Sequence, residues 1–467
     1  MANSAGATLR ISKEITDIQQ SSDLSIAVHC KESDVRYVRA LIIGPPETPY
    51  EFGFFEFNLR FSKDYPTRPP VVSAITTNNG NTRFNPNIYS CGKVCLSILG
   101  TWRGEAGEQW SSAQSLESVL ISIQSLMSSN PYENEPGYEG SKATERMPAV
   151  YIEKKIQHET IRISVIQSLE EILRLPPLSP PPTTGRQKSG LTWKLPTLGN
   201  PPASALEYDA EADYRSQSME LEPAHYPFAD LCKRRFLWYY DSYLATVDKA
   251  SQKVQDGQEF QVAEFEFVPN TMRGQFHYPM LRKRLERLKG AVDDEVRLWA
   301  EEGLEMVQAE KAVAHNLRRQ FEQTREFYGT SHSGTSLNLT LGNENPFTWH
   351  LTLFGRPMTQ LDGGIFNVSL AFSPRFPEEQ PRVKFLTPLF HHRIAKDGTM
   401  CYFPEHAEEP KSHVAAIIKA LEEEQPRYDP RTLVNAEAAE LFWGGEDGRK
   451  IYNRRLRRAV QRSCEFE

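Results

Sequence analysis

The chain has 467 residues and a formal net charge of −7, so it is too long for one ordinary core and predicts two or three domains. The negative charge argues against a general nucleic-acid binder, and the lack of any apolar run of about 18 residues argues against a membrane span. Scattered cysteines with no Cys-x-x-Cys pair favour reduced thiols over disulfides, and with no apolar signal sequence at the N-terminus we expect a cytoplasmic or nuclear protein.

The first third of the chain predicts a helix, then strands, then more helices. Periodicity indicates a helix over 9–20, and β-rich runs broken by Gly and Pro predict three strands at 37–44, 54–61 and 71–76. Apolar residues at helical spacing predict a helix over 115–127. A further amphipathic helix over 151–173 is expected to pack on this first domain.

The middle of the chain has a different composition. Prolines with Ser, Thr and Gly predict an extended linker over 176–222. Residues 228–247 predict a helix with a buried aromatic face, and the stretch 280–325 predicts a long charged helix interrupted near Gly290 or Gly303. The last third then repeats the first, with a helix over 313–328 and strands at 349–354, 365–372 and 383–386.

Comparison of the chain with itself shows a long-period duplication. The Gly and Phe positions that punctuate the first copy recur in the second at a constant offset of 311 residues, for example Gly44 at Gly355. After a five-residue deletion the offset becomes 306. The pairs that result are Phe84 with Phe390, Asn87 with Arg393, and Cys95 with Cys401.

Asn87 and Cys95 carry the chemistry that the sequence suggests. A cysteine thiolate can attack a carbonyl, and a neutral amide nearby can stabilise the oxyanion that forms. The ordinary alternative for Cys95 is a buried structural thiol. Cys91 lacks the matching spacing and is expected to be incidental.

Several motifs around Cys95 occur in one order. They include Gly44-Pro45, Tyr65-Pro66-Thr67-Arg68-Pro69-Pro70, Phe84-Asn85-Pro86-Asn87, the run from Cys95 to Trp102, and Trp110-Ser111-Ser112-Ala113. This set resembles the ubiquitin-conjugating (UBC) enzyme family over roughly the first 175 residues, and its Phe-Asn-Pro-Asn motif is similar to the Z-type members.

The resemblance implies an α+β fold with two UBC-like domains, each an antiparallel meander sheet flanked by helices. The domains we expect are a catalytic UBC domain with a C-terminal helical extension at 6–175, a Pro-rich flexible linker at 176–222, a helical aromatic and charged region at 223–311, and a second, degenerate UBC-like domain at 312–467.

The resemblance also implies the activity. Cys95 would accept ubiquitin or a ubiquitin-like protein as a thioester from an activating enzyme and pass it to a lysine of a protein substrate, usually with a ubiquitin ligase. Asn87 would stabilise the oxyanion, and Glu133, or alternatively Glu135, would orient the lysine. Thr67, Ser112 and Ala113 are the ligase contacts that position suggests. Asn85 replaces the histidine that usually supports this loop, so its support must be built differently.

The second copy keeps Cys401 but has Arg393 in place of the amide, so we expect an inactive or weak relative that serves packing or partner binding. A metal site at His391, His392, Cys401 and His406 is disfavoured by spacing. The arginines at 454, 455, 457, 458 and 462 are read as a solvated helix face rather than a nucleic-acid site.

No phosphate-binding G-x(4)-G-K-[ST] loop is present, so no cofactor is expected and ATP would be used by the activating enzyme. The rival function is an inactive adaptor that binds ubiquitin or ligases without carrying a thioester.

Overall fold

The computed structural model describes residues 2–21, 24–31, 33–104, 107–140, 150–176, 178, 226–266, 272–329 and 337–465. The predicted linker at 176–222 therefore lies almost wholly outside the described residues. The elements on either side of it account for both copies of the repeat and for the helices between them.

The first copy is a helix packed on a four-stranded antiparallel meander. Helix α1 (Ala2–Gln20) precedes strands β1 (Ile26–Lys31), β2 (Asp34–Ile43), β3 (Phe54–Arg60) and β4 (Val71–Ala74), which pair in that order. Helix α2 (Leu116–Ser125) follows, and the Ser115 side chain caps its first turn by accepting from the Ser118 N–H.

The two faces of this sheet are both buried. Ala40 and Ile42 of β2 lie in the same hydrophobic cluster as α1 and α2. Their neighbours Leu41 and Ile43 point to the other face and pack in a second cluster with helices from the middle of the chain. Burial of alternate side chains on opposite faces thus explains the continuous apolar run over 40–43 at the end of β2.

The second copy repeats this architecture. Helix α6 (Ala312–Gly329) precedes strands β5 (Leu337–Gly342), β6 (Asn345–Phe354), β7 (Ile365–Ala371) and β8 (Arg382–Phe385), again paired in chain order. Helices α7 (Pro410–Glu422), α8 (Ala436–Trp443) and α9 (Gly445–Ser463) complete it. Together with the first copy, this confirms the predicted α+β class and its duplicated meander.

Backbone geometry confirms the repeat at matched positions of the two copies. A Cβ on Gly44 would lie 1.8 Å from the Tyr50 carbonyl oxygen, and one on Gly355 would lie 1.6 Å from that of Leu361, so both turns require glycine. The bridge between Ser73 and Lys93 recurs between Lys384 and Thr399. Ser73 and Lys384 are 311 residues apart in sequence, whereas their partners Lys93 and Thr399 are 306 apart, as the five-residue deletion predicts.

Within the described residues, three helical elements lie between the copies. Helix α3 spans 150–172, with π-helical Val150–Ile156 and Thr160–Gln167 alternating with α-helical Gln157–Glu159 and Ser168–Ile172. Helices α4 (Ala229–Ser251) and α5 (Tyr278–Gln308) follow. Tyr151, Ile156 and Ile163 of α3 pack in the core of the first copy, which confirms the predicted docking of that helix.

Helix α4 contacts both copies. The ring of Tyr239 stacks on Phe52 with centroids 3.8 Å apart, and its hydroxyl donates to the Arg431 carbonyl at 2.8 Å. Tyr243 donates to the Phe52 carbonyl at 2.7 Å. The aromatic face predicted for this helix is therefore a buried core face, and it joins the two copies.

Two expectations about the elements were wrong. Each sheet has four strands rather than three, because β1 and β5 are edge strands whose stability comes from pairing with β2 and β6. The long charged helix is not broken at Gly290 or Gly303. It ends at Gln308, and α6 begins after a turn in which Glu310 adopts a left-handed φ of 52°.

Candidate active site

Cys95 lies at the end of an irregular hairpin that extends from β4. Ile88 pairs with Val94, and the Cys95 N–H donates to the Asn87 carbonyl at 2.8 Å. Gly92 forms the tip with a φ of 91°. The hairpin fixes the backbone of the cysteine relative to the Asn-Pro-Asn segment, so the spacing seen in the sequence becomes a direct contact.

Cys95 is buried, with only 3% of its surface exposed. Burial raises the pKa of Cys95, while Lys93 and Arg83 act in the opposite direction by favouring the thiolate. The resting form near neutral pH is therefore the thiol. The two cations nevertheless favour the thiolate, the form in which a cysteine acts as a nucleophile.

The Asn87 side chain faces the same cysteine. Its Nδ2 donates to the Cys95 carbonyl oxygen at 2.9 Å. An amide NH₂ has two hydrogens, so this bond leaves one N–H for another acceptor. Asn87 is thus fixed against the residue whose chemistry it was predicted to assist.

Asn85 supplies the support that sequence analysis expected to be built differently. It is completely buried, and its Nδ2 donates to Tyr50 Oη at 3.0 Å and to the Leu126 carbonyl at 2.7 Å. Its Oδ1 accepts from the Asn87 N–H at 2.8 Å. Asn85 therefore ties the Asn-Pro-Asn segment to the core and to the end of α2.

Arg83 was missed by the sequence analysis. Its side chain is 2% exposed, and it donates to the Pro86 carbonyl at 2.6 Å and pairs with Glu135 at 3.2 Å. Its guanidinium lies 4.7 Å from the Tyr89 ring centroid. The self-comparison could not find it, because Leu389 occupies its place in the second copy; its position just before the Phe-Asn-Pro-Asn motif was the available signal.

The two candidate acids differ in their surroundings. Both belong to the segment that begins with the turn Pro131–Asn134. Glu133 is exposed and makes no side-chain hydrogen bond or ion pair with another described residue. Glu135 is half-buried against Arg83, and burial raises its pKa. Of the two carboxylates, Glu133 is therefore the one that is not already paired with a described residue.

The candidate ligase contacts lie on two loops that are held together. Thr67, Ser112 and Ala113 are all exposed. Trp110 Nε1 donates to the Pro66 carbonyl at 2.8 Å, and this bond links the loop of Thr67 to the loop of the other two. The three side chains thus lie on neighbouring, fixed parts of the surface.

The second copy keeps the backbone hydrogen bond of this site but has different side chains around it. The Cys401 N–H donates to the Arg393 carbonyl at 2.9 Å, matching the bond between Cys95 and Asn87. Arg393 instead pairs with Glu423, at 3.5 Å. His391 replaces Asn85 and accepts from the Arg393 N–H at 3.2 Å.

Cys401 is 0% exposed and lies in the hydrophobic cluster formed by α4. Trp238 of α4 packs edge-on against Phe403, with centroids 5.4 Å apart. Burial raises the pKa of Cys401 to about 11, despite the opposing charges of Arg393 and Arg235. Cys95, in contrast, belongs to none of the hydrophobic clusters of the described residues.

The remaining candidates are spread apart. His391 and His392 are buried and stacked on each other at 4.3 Å, whereas His406 is exposed. Within the described ranges, no three His, Cys, Asp or Glu side chains are grouped so that they could hold a metal ion.

The five arginines at 454, 455, 457, 458 and 462 are exposed on α9. Among the described helices, none is both long and apolar enough to cross a bilayer.

Comparison with known proteins agrees with this geometry. Residues 10–157 and 317–460 each match the family model for ubiquitin-conjugating enzyme, which together is more than half of the chain. Ubiquitin-conjugating enzyme E2 Z of Xenopus tropicalis is 51% identical over 162 residues, covering 35% of this chain and 50% of that protein. The Homo sapiens protein of the same name is 51% identical over 164 residues, covering 35% of this chain and 44% of its own length.

The chain thus spans half or less of the length of these relatives. A solved E2 domain of a Toxoplasma gondii ubiquitin conjugating enzyme is 28% identical, with a TM-score of 0.27, and covers 33% of this chain and 97% of that one. Since the family model matches both copies, the chain belongs to the ubiquitin-conjugating enzyme family, with one such domain in each half and a first domain similar to the Z-type members.

Proposed function

We propose that this protein is an active ubiquitin-conjugating enzyme that carries ubiquitin or a ubiquitin-like protein as a thioester on Cys95. The observation that carries the proposal is the two-way contact between Cys95 and Asn87, buttressed by Asn85, in a domain of that family. The second domain has the same backbone and lacks this contact, so the pair is specific to the first.

In the loading step the Cys95 thiol loses its proton and the sulfur attacks the thioester carbonyl that joins the modifier to the activating enzyme. A new C–S bond forms on Cys95, the C–S bond to the activating enzyme breaks, and the thiolate that leaves takes up a proton in place of the one that Cys95 lost. Lys93 and Arg83 favour the negative charge on Cys95 during this exchange. ATP is used by the activating enzyme, and this chain needs no cofactor of its own.

In the transfer step a substrate lysine attacks the thioester carbonyl. The C–N bond forms through an oxyanion, the C–S bond breaks to release Cys95 as a thiolate, and the proton lost by the amine returns that thiolate to the thiol. Asn87 supplies its second N–H to the oxyanion, a donor type whose removal typically costs about 10²–10³ in rate. Glu133 orients the amine, and Thr67, Ser112 and Ala113 contact the ligase.

The second domain acts as a scaffold in this proposal. Cys401 is sealed beneath α4, its thiol is hard to ionise, and Arg393 is engaged with Glu423. A buried cysteine with no neighbouring amide in both domains would favour an adaptor. Only the second domain has this arrangement, which favours an enzyme whose second domain serves packing. We place the protein in the cytoplasm or nucleus.

The test is incubation of the full chain with activating enzyme, ATP and ubiquitin, followed by a non-reducing gel. We expect the protein band to shift upward by the mass of one modifier, meaning one ubiquitin or ubiquitin-like protein. A thiol reductant should reverse this shift. Ubiquitin-like proteins with their own activating enzymes are tested in parallel. Ubiquitin binding without a thiol-sensitive shift for any modifier would instead identify the adaptor.

A further inference from the structure

A segment of the middle region reaches back to the first domain beside the proposed active site. After α4 the chain forms an irregular ribbon in which Phe260 N–H donates to the Gly274 carbonyl at 2.8 Å and Phe276 N–H donates to the Gln258 carbonyl at 2.9 Å. We call residues 259–266 of this ribbon the strap. It lies outside both ranges that match the family model.

The strap is anchored by a buried ion pair. Lys155 of α3 pairs with Glu266, and both side chains are 0% exposed. Lys155 Nζ also donates to the Gln261 carbonyl at 3.0 Å, and Glu266 accepts from the Ala263 N–H at 2.8 Å. Two charges withdrawn from water are costly unless both are paired and hydrogen-bonded, so these contacts specify one position of the strap.

The strap places Phe265 in an aromatic cluster of the first domain. Its ring centroid lies 5.1 Å from that of Tyr132, 5.6 Å from Tyr138 and 5.5 Å from Tyr151. Tyr138 also donates to the strap's Glu264 at 3.2 Å. Tyr132 belongs to the turn that carries Glu133, so the strap packs directly on the loop of the proposed lysine-orienting acid.

Phe265 also packs on Arg83, whose guanidinium lies 5.6 Å from the ring centroid. Arg83 Nε has no hydrogen-bond partner among the described residues, so this buried cation depends partly on the rings of Phe265 and Tyr89. Arg83 in turn holds the Pro86 carbonyl, directly before Asn87, and the Glu135 carboxylate.

We propose that the strap is a positioning element for aminolysis at Cys95, and that Phe265 is its positioning residue. Phe265 fixes the positions of the Pro131–Asn134 turn and of Arg83 relative to Asn87. Glu133 and the Asn87 amide can then act on the same thioester. This inference rests on the proposed function of Cys95. It assigns part of the active-site geometry to the middle region rather than to the UBC domain.

The experiment compares Phe265→Ala with Phe260→Ala in the full chain. Phe260 lies on the same strap but packs on His158 and Phe276, away from Arg83, so it is the matched control. Hydrogen exchange measures the order of 131–138 without any modifier. Single-turnover discharge of the charged protein to free lysine then measures the chemistry, separately from charging.

For Phe265→Ala we expect at least about tenfold faster exchange in 131–138, charging within about twofold of wild type, and lysine discharge slower by about tenfold. The drop should appear in the maximal discharge rate at saturating lysine, and Phe265→Tyr should restore it. Phe260→Ala should leave both readouts near wild type.

The positioning role of the strap would be overturned if Phe265→Ala left hydrogen exchange in 131–138 unchanged. It would also be overturned if the charged variant discharged to lysine as fast as wild type. An equal loss of discharge in Phe260→Ala would also overturn it, because general loosening would then explain the effect. Failure of the wild-type protein to charge with any modifier is a different result. It would overturn the function of Cys95 itself.

Discussion

The side-chain amide of Asn87 donates to the Cys95 carbonyl at 2.9 Å while the Cys95 N–H donates to the Asn87 carbonyl at 2.8 Å. The second domain keeps the backbone half of this pair, between Cys401 and Arg393, and has no amide there. Since the backbone halves match, the two sites differ in their side chains.

Replacing the amide should separate loading from transfer. We expect Asn87→Ala to charge at a rate close to wild type and to discharge to lysine about 10²–10³ times more slowly, because the oxyanion loses its donor. Single-turnover discharge of the purified charged protein measures this. Since Asn87 also bonds the Cys95 carbonyl, thermal unfolding is the control, and equal discharge rates would remove the proposed role.

The cysteines should differ in reactivity towards alkylation. Only the thiolate reacts, and a pKa of about 11 leaves about one Cys401 in a thousand ionised at pH 8. With iodoacetamide at pH 8 we expect the exposed Cys91 and Cys464 to be modified first and Cys401 last. Peptide mass spectrometry resolves each site, and urea should release Cys401. Modification of native Cys401 as fast as Cys91 would contradict its burial.

The second domain should lose stability in mild acid. Burial lowers the pKa of His391 to about 3 and of His413 to about 4, and it lowers that of His392 further. Below the unfolded value near 6.5 the unfolded chain binds protons that the folded domain does not. Stability is therefore full above that pH and falls towards pH 4, by up to about 1.4 kcal/mol per pH unit for each histidine.

His391→Asn is the sharp variant for this effect, because it introduces the residue that the first domain has at this position. Asn85 accepts from the following Asn87 N–H as His391 accepts from Arg393, so the hydrogen bond can be kept. Hydrogen exchange of β6 and β7 in increasing urea gives the unfolding midpoint of the second domain. We expect this midpoint to fall less between pH 7 and pH 5 in the variant than in wild type. An equal fall in both proteins would show that His391 does not contribute.

Two glycines of α5 should respond in opposite directions to alanine. A Cβ on Gly303 would lie 2.6 Å from Phe347, whereas nothing lies within 4 Å of one on Gly290. We expect Gly303→Ala to destabilise the protein by about 1–3 kcal/mol and Gly290→Ala to stabilise it by about 0.5–1 kcal/mol. Thermal unfolding of both variants decides this. Equal shifts would mean that the helix does not pack as described.

These glycines also show where sequence reasoning ended. Both suggested a break in the helix, but Gly303 is there because β6 approaches closely, and no local pattern reports a contact with Phe347. The duplicated sheets and the Asn87 to Cys95 contact were predictable, since each depends on nearby residues or on the repeat. The edge strands β1 and β5 were not, because their pairing partners stabilise them.

The roles of Arg83 and of the strap were still harder to predict from the sequence, because they depend on contacts between distant residues. Arg83 acts through Glu135 and Phe265, and the latter is more than a hundred residues away along the chain. Likewise the sealing of Cys401 depends on α4, which is distant in sequence and adjacent in the fold. Local spacing identified the candidate reactive groups, but only the packing identified what surrounds them.

The central claim is that the chemistry resides in the first domain. Its most direct test is the charging reaction with activating enzyme, ATP and modifier, run in parallel on wild type, Cys95→Ser and Cys401→Ser and resolved on non-reducing gels. We expect the reductant-sensitive shift to disappear in Cys95→Ser and to remain in Cys401→Ser. A reductant-sensitive shift that survives Cys95→Ser would contradict the account.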